Sequence, residues 1–270
     1  MITSTSNARV KGLVNLIKKK KARDADNIYV VEGIRMFKEV PIEELKEVYV
    51  SESFYKKERD VVEEVLKGSG IKPELLADMV YAHISDTKSP QGILCVVRRK
   101  EYTLERIMGA SEMRKDKNTT HMIVLEHLQD PGNLGTIFRT AEAAGVTGIV
   151  MDRECVDIYN PKTIRSTMGA IYRVPFVYVE NLHEAINKLK KKEIRVYAAH
   201  LEDSVDYDEP DYTKGCAFLI GNEGNGLMKE TADLADSYIK IPMAGQVESL
   251  NAAVAATVLM FEVSRQRRHK

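Results

Sequence analysis

A glycine-rich loop, IGNEGNGL at residues 220–227, is the clearest stretch of this 270-residue chain that could do chemistry. It follows the apolar run CAFL and precedes a helix-like segment, and such loops between a strand and a helix commonly hold phosphates. Gly221 and Gly226 have the spacing of a nucleoside triphosphate loop, but a leucine and a methionine replace the required lysine and hydroxyl residue. A dinucleotide loop is excluded as well, since the order of glycines differs and Glu223 would repel a pyrophosphate.

The loop offers flexible backbone with free N–H and C=O groups, one carboxylate and little side-chain bulk. That chemistry suits a neutral or cationic ligand lying against the main chain. The alternative is a loop whose glycines only make a tight turn between a strand and a helix. Two further polar stretches bear on this choice.

The first of them is LEHLQDPGNLGTIFRTA, at residues 125–141. A strand ends there, DPGN turns the chain, and Asn133 is well placed to cap the helix that follows. Arg139 lies off the apolar stripe of this helix, above the carboxyl edge of a parallel sheet, where such folds bind ligands. Taken alone, an arginine in this position is more often a surface ion-pair partner.

The second is IKIPMAGQVESLNAAVA, at residues 239–255, where Pro242 and Gly245 break a strand into a loop. Ser249 and Asn251 then stand at the start of an apolar helix. Polar residues at a helix start are usually caps. A cap explains Ser249, whereas Asn251 is expected one residue inside the helix and is less easily explained.

These polar stretches are positioned by an alternation of strands and helices. Continuous apolar strands separated by helices predict a mostly parallel sheet covered on both faces. The predicted strands are MIVLEHL (122–128), TGIVM (147–151), VPFVYV (174–179), RVYAAH (195–200), CAFLIG (216–221) and YIKIPM (238–243). The predicted helices lie near 134–144, 161–168, 182–192 and 227–235, with a long one from Leu250.

The last helix, LNAAVAATVLMFEVSRQ, is apolar almost all round in its first turns. Such a helix is buried on every side, either inside its domain or against a second subunit. Its alanines permit close approach of another helix. We therefore favour a dimer.

The N-terminal part reads as a separate small α/β unit. NIYVVEG, EVYVS and GILCVVR are typical of strands, and RDVVEEVLKGSG is typical of a helix closed by Gly68. Residues 98–120 are polar and indicate a domain boundary near 100–120. The three cysteines are odd in number and widely spaced, so we predict reduced core side chains rather than disulfides or metal ligands.

The net charge of zero hides two basic ends. Residues 1–23 carry arginines and lysines with no acid before Asp24, and the tail reads SRQRRHK. Such runs are either solvated surfaces or contacts for the phosphates of a nucleic acid. No apolar run is long enough to span a bilayer and no secretory leader is recognisable, so we expect a cytoplasmic protein.

Together the three polar stretches resemble the motifs of the SpoU/TrmH branch of the SPOUT RNA methyltransferases. PGNLGTIFRTAEAAGV is similar to the first family motif, LIGNEGNGL to the second and IPMAGQVESLNAAVAA to the third. NPKTIRSTMGAIYRVP, at residues 160–175, is similar to the intervening segment. The likeness covers about residues 120–267, and a looser one, with SPQGI at 89–93, relates residues 1–98 to accessory domains resembling small RNA-binding ribosomal proteins.

The resemblance implies an α/β fold in which a mostly parallel sheet contains a deep trefoil knot, a topology that general rules of chain connection disfavour. It also implies a homodimer whose active site uses both subunits. We accordingly expect an N-terminal RNA substrate-binding domain at 1–98, a linker at 99–119 and a methyltransferase domain at 120–270.

The site residues follow from the same resemblance. Those expected in catalysis are Arg139, Asn133, Glu223, Ser249 and Asn251. Those expected to bind S-adenosylmethionine are Gly221, Ile241, Leu250, His200 and Met243, although His200 is also explained as a histidine at the edge of the core. Those expected to contact RNA are Lys18, Lys19, Lys20, Lys21 and Arg165, the last with a surface role as the alternative.

The implied reaction is methylation of a ribose 2′-hydroxyl in RNA, and it needs no metal. A guanidinium stays protonated under ordinary conditions, so Arg139 fits ribose positioning better than proton uptake. We expect 23S rRNA as the substrate because of the separate N-terminal domain. The alternatives are a tRNA 2′-O-methyltransferase and a non-catalytic RNA-binding factor associated with ribosomes.

Overall fold

The computed structural model describes residues 1–109, 120–200 and 203–269. Residues 110–119, which make up half of the expected linker, lie outside the described residues. The chain divides into two compact units. Among the residues described, no helix is both long enough and apolar enough to cross a membrane.

The first unit contains Met1–Lys100 and is built on a four-stranded sheet. Its strands are β1 (Ile28–Glu32), β2 (Leu45–Ser51), β3 (Glu74–Leu76) and β4 (Ile93–Arg98). Their order is β1-β4-β2-β3, with β2 and β3 parallel and the other neighbours antiparallel. Its helices are α1 (Ala8–Lys18), α2 (Lys20–Asp26), α3 (Ile34–Glu39), α4 (Glu52–Leu66) and α5 (Asp78–Ile84). The small α/β unit predicted here is confirmed.

The second unit begins at Glu101 and is built on a seven-stranded sheet. Helix α6 (Leu104–Met108) leads to β5 (His121–Leu125), α7 (Pro131–Ala144) and β6 (Gly148–Asp152). The chain between β6 and the next strand forms α8 (Pro161–Thr167) and a short 3-10 helix (Ala170–Tyr172), both of which group with the first unit. The remaining elements are β7 (Phe176–Val179), α9 (Leu182–Lys191), β8 (Arg195–Ala199), β9 (Val205–Asp206), β10 (Cys216–Ile220), α10 (Lys229–Ala232), β11 (Ser237–Lys240) and α11 (Ala252–Arg268).

All neighbouring strands of this sheet are parallel, in the order β7-β6-β5-β10-β8-β11-β9. Every residue of β5, β6 and β10 is buried. Strands buried on both faces explain the continuous apolar runs of the sequence, and the predicted parallel α/β sheet is confirmed. The three cysteines are free and buried.

Two helix starts differ from the sequence-based prediction. Helix α7 begins at Pro131 and is capped by Asp130, whose side chain accepts a hydrogen bond from the amide of Asn133. Asn133 therefore lies in the first turn and leaves its own side chain free for other contacts. Helix α11 begins at Ala252, so that Asn251 is its N-cap rather than a residue inside it.

Segment Asp157–Tyr172, which we expected within the methyltransferase domain, groups with the first unit. Asp157 accepts a hydrogen bond of 2.6 Å from the guanidinium of Arg23, which is 3% exposed. The guanidinium of Arg99 lies 4.1 Å from the ring centroid of Tyr159. A largely buried ion pair and a cation–π contact thus tie this segment to residues of the first unit.

Candidate active site

A cavity of about 450 Å³ opens at the carboxyl ends of β8, β10 and β11 in the second unit. Volumes of this size suit a small-molecule ligand. The residues assigned to the cofactor from the sequence all line it: Gly221, Ile241, Leu250, His200 and Met243. Glu223 and Ser249, both assigned to catalysis, also line the cavity.

Gly221 is required by the way the glycine-rich loop closes on itself. The amide of Asn222 donates to the carbonyl oxygen of Gly226 at 2.9 Å, and the amide of Gly226 donates back at 3.0 Å. A Cβ at Gly221 would overlap the backbone of Gly226 and Leu227 at well under 3.0 Å. The contact that excludes a side chain at Gly221 is therefore made within the loop itself. A ligand lying close to Gly221 would be a second reason for glycine at this position.

Asn222 organises the same loop and was not identified from the sequence. Its Nδ2 donates to the carbonyl oxygen of His127 at 2.8 Å. Its Oδ1 accepts from the amides of Gly224 and Asn225 at 2.9 and 3.3 Å. An asparagine that bonds to amides two and three residues ahead is an ordinary turn-forming signal, which could have marked it.

The carboxylate of Glu223 joins the glycine-rich loop to the start of α7. It accepts hydrogen bonds from the amide of Gln129 at 3.2 Å, the amide of Asp130 at 2.9 Å and Nδ2 of Asn133 at 3.0 Å. Partial burial raises the pKa of Glu223, but the hydrogen bonds outweigh it and hold the pKa below its ordinary value. Glu223 is thus an ionised carboxylate whose oxygens already accept hydrogen bonds from the start of α7 and the residues before it.

The amide side chain of Asn133 is shared between two of these loops. While its Nδ2 donates to Glu223, its Oδ1 accepts from Nδ2 of Asn251 at 3.0 Å. The Oδ1 of Asn251 caps α11 by accepting from the amides of Ala253 and Val254. Three of the five residues assigned to catalysis therefore form one hydrogen-bonded chain, Glu223–Asn133–Asn251.

Arg139 is placed differently from the other four. It is exposed on α7, does not line the cavity of its own chain, and has no hydrogen bond or ion pair with any residue in the described part of the molecule. Helix α7 packs against α11. Arg139 therefore stands free on a surface formed by these helices, rather than on the cavity wall.

A buried carboxylate, Glu126, supports the far end of the loop. It is 4% exposed, and it accepts from the amide of Met228 at 2.7 Å and from the hydroxyl of Thr231. That hydroxyl also contacts Nε2 of His183 at 2.9 Å. The start of α10 is fixed in this way, and a lone acid directly after an apolar strand was the signal that sequence reasoning passed over.

The residues assigned to RNA lie in the first unit. Lys18 ends α1, Lys19 links the two helices, and Lys20 and Lys21 begin α2; all four side chains are exposed. Arg165 lies on α8 and is 3.7 Å from the carboxylate of Asp86.

The cavity wall carries two carboxylates, Glu223 and Glu248, one lysine, Lys240, and His200. Apolar side chains such as Ile241 and Leu259 supply the rest of the wall between main-chain groups. This lining lacks the concentration of positive charge that a phosphate would need. It can hold a compact ligand with a cationic centre and apolar parts, which is compatible with the neutral or cationic ligand that the loop sequence favours.

Two family models match this chain. The model of the SpoU rRNA Methylase family matches residues 120–261, and the model of the MRM3-like substrate binding domain matches residues 7–95. A curated relative, the 23S rRNA (guanosine(2553)-2′-O)-methyltransferase RlmP of Bacillus subtilis, is 30% identical over 97% of this chain and 98% of its own.

Solved structures are similar over almost the whole chain. The AdoMet-bound rRNA methyltransferase of Sinorhizobium meliloti has a TM-score of 0.83 at 29% identity, covering 99% of this chain and 97% of that one. The SpoU methyltransferase AviRb of Streptomyces viridochromogenes, in complex with AdoMet, has a TM-score of 0.82 at 26% identity, covering 98% and 100%.

Proposed function

This chain belongs to the SpoU rRNA methylase family, and we propose that it transfers a methyl group from S-adenosylmethionine to a ribose 2′-hydroxyl of RNA. The observation that carries the proposal is the cavity at the strand ends, which gathers every residue assigned to the cofactor. It lies beside the Glu223–Asn133–Asn251 chain.

The residues of the cavity fit S-adenosylmethionine. Ile241, Leu250 and Leu259 provide apolar surface for a flat base, while the Gly221 loop provides main-chain groups. Glu223 and Glu248 place negative charge in a wall that would face a sulfonium. S-adenosylmethionine supplies an electrophilic methyl group when bound, and the chain's own residues position the acceptor.

Among those residues, Arg139 would orient the ribose and stabilise negative charge on the 2′-oxygen, since a guanidinium stays protonated and donates hydrogen bonds in a fixed fork. Glu223, Asn133 and Asn251 would hold the loops in a single arrangement, and Ser249 would lie at the cavity mouth. Arg139→Ala should abolish methylation while leaving S-adenosylmethionine affinity unchanged by calorimetry. Near-native methylation by that variant would remove Arg139 from the site.

We propose a homodimer that shares its active sites. Val254 and Phe261, seven residues apart on α11, are 48% and 43% exposed, and Val247 in the preceding loop is 62% exposed. An apolar helix face of this kind is typical of a subunit interface. It is also the face on which an unpartnered Arg139 from another subunit could complete the cavity. The trefoil knot implied by the family resemblance remains a prediction.

Mixing two variants tests this arrangement: Arg139→Ala, and Gly221→Ala assayed at an S-adenosylmethionine concentration too low to fill its weakened cavity. If Arg139 acts on the partner's cavity, co-expressed Arg139→Ala and Gly221→Ala chains should recover about a quarter of wild-type methylation, because half the dimers are mixed and each holds one intact site. Sedimentation velocity measures the dimer itself. A monomer, or mixed chains without recovery, would contradict the shared site.

We propose 23S rRNA as the substrate, in the cytoplasm. Support comes from the length of the match to RlmP, which includes the N-terminal unit as well as the methyltransferase part. Mapping 2′-O-methylated positions in RNA from a deletion strain tests the choice. A lost rRNA position supports it, whereas an unchanged rRNA pattern with a lost tRNA position would establish the alternative substrate.

A non-catalytic RNA-binding factor is the remaining alternative. Such a protein would have no need to keep Asn133, Arg139, Glu223 and Asn251 together. Calorimetry with S-adenosylmethionine separates the two functions, since the enzyme should bind it and the inert factor should not.

A further inference from the structure

A second cavity, of about 260 Å³, lies in the first unit. It is lined by residues of α1, the residue after it, and α5: Lys11, Val14, Asn15, Lys18, Lys19 and His83. Lys11, Asn15 and Lys18 are spaced by four and three residues, so they form one stripe of α1. His83 reaches the same groove from α5, which packs against α1. We call this cavity the α1–α5 groove.

The α1–α5 groove is positively charged without compensation. Among the described residues, Lys11, Lys18 and Lys19 make no ion pair. Helix α1 contains no acidic residue. The acid of α5, Asp78, sits in the first turn, where it accepts hydrogen bonds from the amide and hydroxyl of Ser53. Three free ammonium groups around a cavity of this size favour an anion.

The end of α1 would normally disfavour an anion, because the last carbonyl groups of a helix carry partial negative charge. Here those carbonyl groups are occupied. Nη1 of Arg23 donates to the carbonyl oxygens of Leu16 and Ile17 at 2.8 and 3.1 Å, and the amide of Lys19 donates to that of Asn15 at 2.9 Å. The buried guanidinium thus offsets the charge of the helix end that borders the groove.

The run of four lysines is divided by the fold. Lys18 and Lys19 line the groove, whereas Lys20 and Lys21 begin α2 and do not. Sequence alone treats these lysines as equivalent. The structure therefore separates cations that converge on one place from cations of equal charge that do not.

We propose that the α1–α5 groove is a phosphate-binding subsite for the backbone of the RNA substrate, built by Lys11, Lys18, Lys19 and His83. This inference rests on the proposed function, since it takes RNA as the ligand. Lys20 and Lys21 contribute long-range attraction. Side-chain ammonium groups that converge on a phosphate release bound counterions, so each such contact steepens the salt dependence of binding.

Two double variants with the same loss of charge test the groove. Lys11→Gln with Lys19→Gln removes two groove cations, and Lys20→Gln with Lys21→Gln removes two neighbouring cations outside it. The full-length protein is titrated with unmodified 23S rRNA made by transcription, at several salt concentrations. Both doubles alter exposed side chains, and circular dichroism checks their folding.

The double variant Lys11→Gln with Lys19→Gln should bind RNA about tenfold more weakly. It should also reduce the slope of log affinity against log salt concentration by about 1.5, as expected for two lost phosphate contacts. The other double should lose clearly less in both measurements. His83→Gln, which removes the imidazole from the groove, should weaken binding by a smaller factor in the same direction. S-adenosylmethionine affinity should be unchanged in the groove double.

Equal losses of RNA affinity in the two double variants, or no loss in either, would overturn the α1–α5 groove as a phosphate-binding subsite. Long-range attraction by the whole basic surface would then explain the binding. That result is distinguishable from a failure of the proposed function. A wild-type protein that methylates rRNA while both doubles behave alike refutes the groove alone. A wild-type protein that binds RNA through the groove but never methylates it refutes the proposed methyltransferase function alone.

Discussion

Gly221→Ala gives the most direct test of how the glycine-rich loop forms the cofactor cavity. The loop closes through two hydrogen bonds between the main chains of Asn222 and Gly226, and it passes directly over Gly221. An added methyl group would overlap backbone atoms of Gly226 and Leu227. Backbone cannot rotate aside as a flexible side chain can, so the loop itself must move.

The free-energy cost of Gly221→Ala can be taken from overpacking substitutions in well-packed sites of proteins in general. Extra methylene groups in well-packed sites cost about 1–3 kcal/mol, and overlap with main chain places this substitution near the upper end. Since native domains are stable by about 5–15 kcal/mol, the protein should still fold. If the loop takes up the displacement, a loss of about 1–3 kcal/mol lowers S-adenosylmethionine affinity by a factor of about 5–150.

Calorimetry with S-adenosylmethionine measures this loss, and thermal unfolding reports whether the fold is retained. Gly245→Ala is the matched control, because an added Cβ there meets no heavy atom within 4 Å and the residue does not line the cavity. The affinity of Gly245→Ala for S-adenosylmethionine should stay within about threefold of wild type. Equal affinities for Gly221→Ala and Gly245→Ala would refute the assignment of Gly221 to loop closure.

Three further substitutions test individual contacts. Glu223→Gln should lower methylation and remove the contribution of Glu223 to the pH dependence of thermal stability. The pKa of Glu223 in the folded protein is lowered. Glu223 therefore stabilises the folded state fully above its unfolded pKa of about 4.3, and this stabilisation is lost as pH falls through the folded pKa. Wild type and variant that lose thermal stability in parallel on acidification would contradict this. Asn251→Ala removes a helix cap worth about 1 kcal/mol and the bond to Asn133, so both thermal stability and methylation should fall, and unchanged values would argue against the cap. Arg23→Met leaves the largely buried carboxylate of Asp157 without its partner and should destabilise the first unit by up to about 3 kcal/mol, less than for a fully buried pair. Limited proteolysis measures the loss, and protection equal to wild type would contradict a stabilising role of the ion pair.

The second unit shows how far an apolar pattern predicts a fold. Its central strands are buried on both faces, and continuous apolar runs located β5, β6, β8 and β10 within a few residues. The two-residue strand β9 was missed, because so short an element carries no periodicity. Helix limits were less predictable, since they depend on which side chain accepts the free amides at each start.

The first unit was harder to predict for a different reason. Helices α1 and α2 lie in the basic N-terminal stretch, where charge obscures the apolar stripe of Val10, Leu13 and Ile17. The assignment of Asp157–Tyr172 to this unit could not follow from local pattern at all. It depends on contacts with residues more than 50 positions away, such as the 134-residue separation between Arg23 and Asp157.

At the candidate site, sequence reasoning found the participants but not their connections. The resemblance assigned Asn133, Glu223 and Asn251 to catalysis, and it gave no reason why two asparagines were needed. The structure supplies one, because Asn133 donates to Glu223 with its nitrogen and accepts from Asn251 with its oxygen. An aspartate at 133 would repel Glu223, and a lysine could not accept from Asn251.

This connection explains why three short motifs lie so far apart in the sequence. Glu223 and Asn133 are 90 residues apart, and Asn133 and Asn251 are 118 residues apart, yet each hydrogen bond fixes one loop at the carboxyl edge of the sheet relative to another. A loop held at only one end would place its main-chain groups loosely against the ligand. The network makes the arrangement of the three loops mutually dependent, so the cavity is preorganised before the methyl donor arrives. Arg139 lies outside this network, free on α7, which is what a residue needs if its position is to be completed by RNA or by a second subunit.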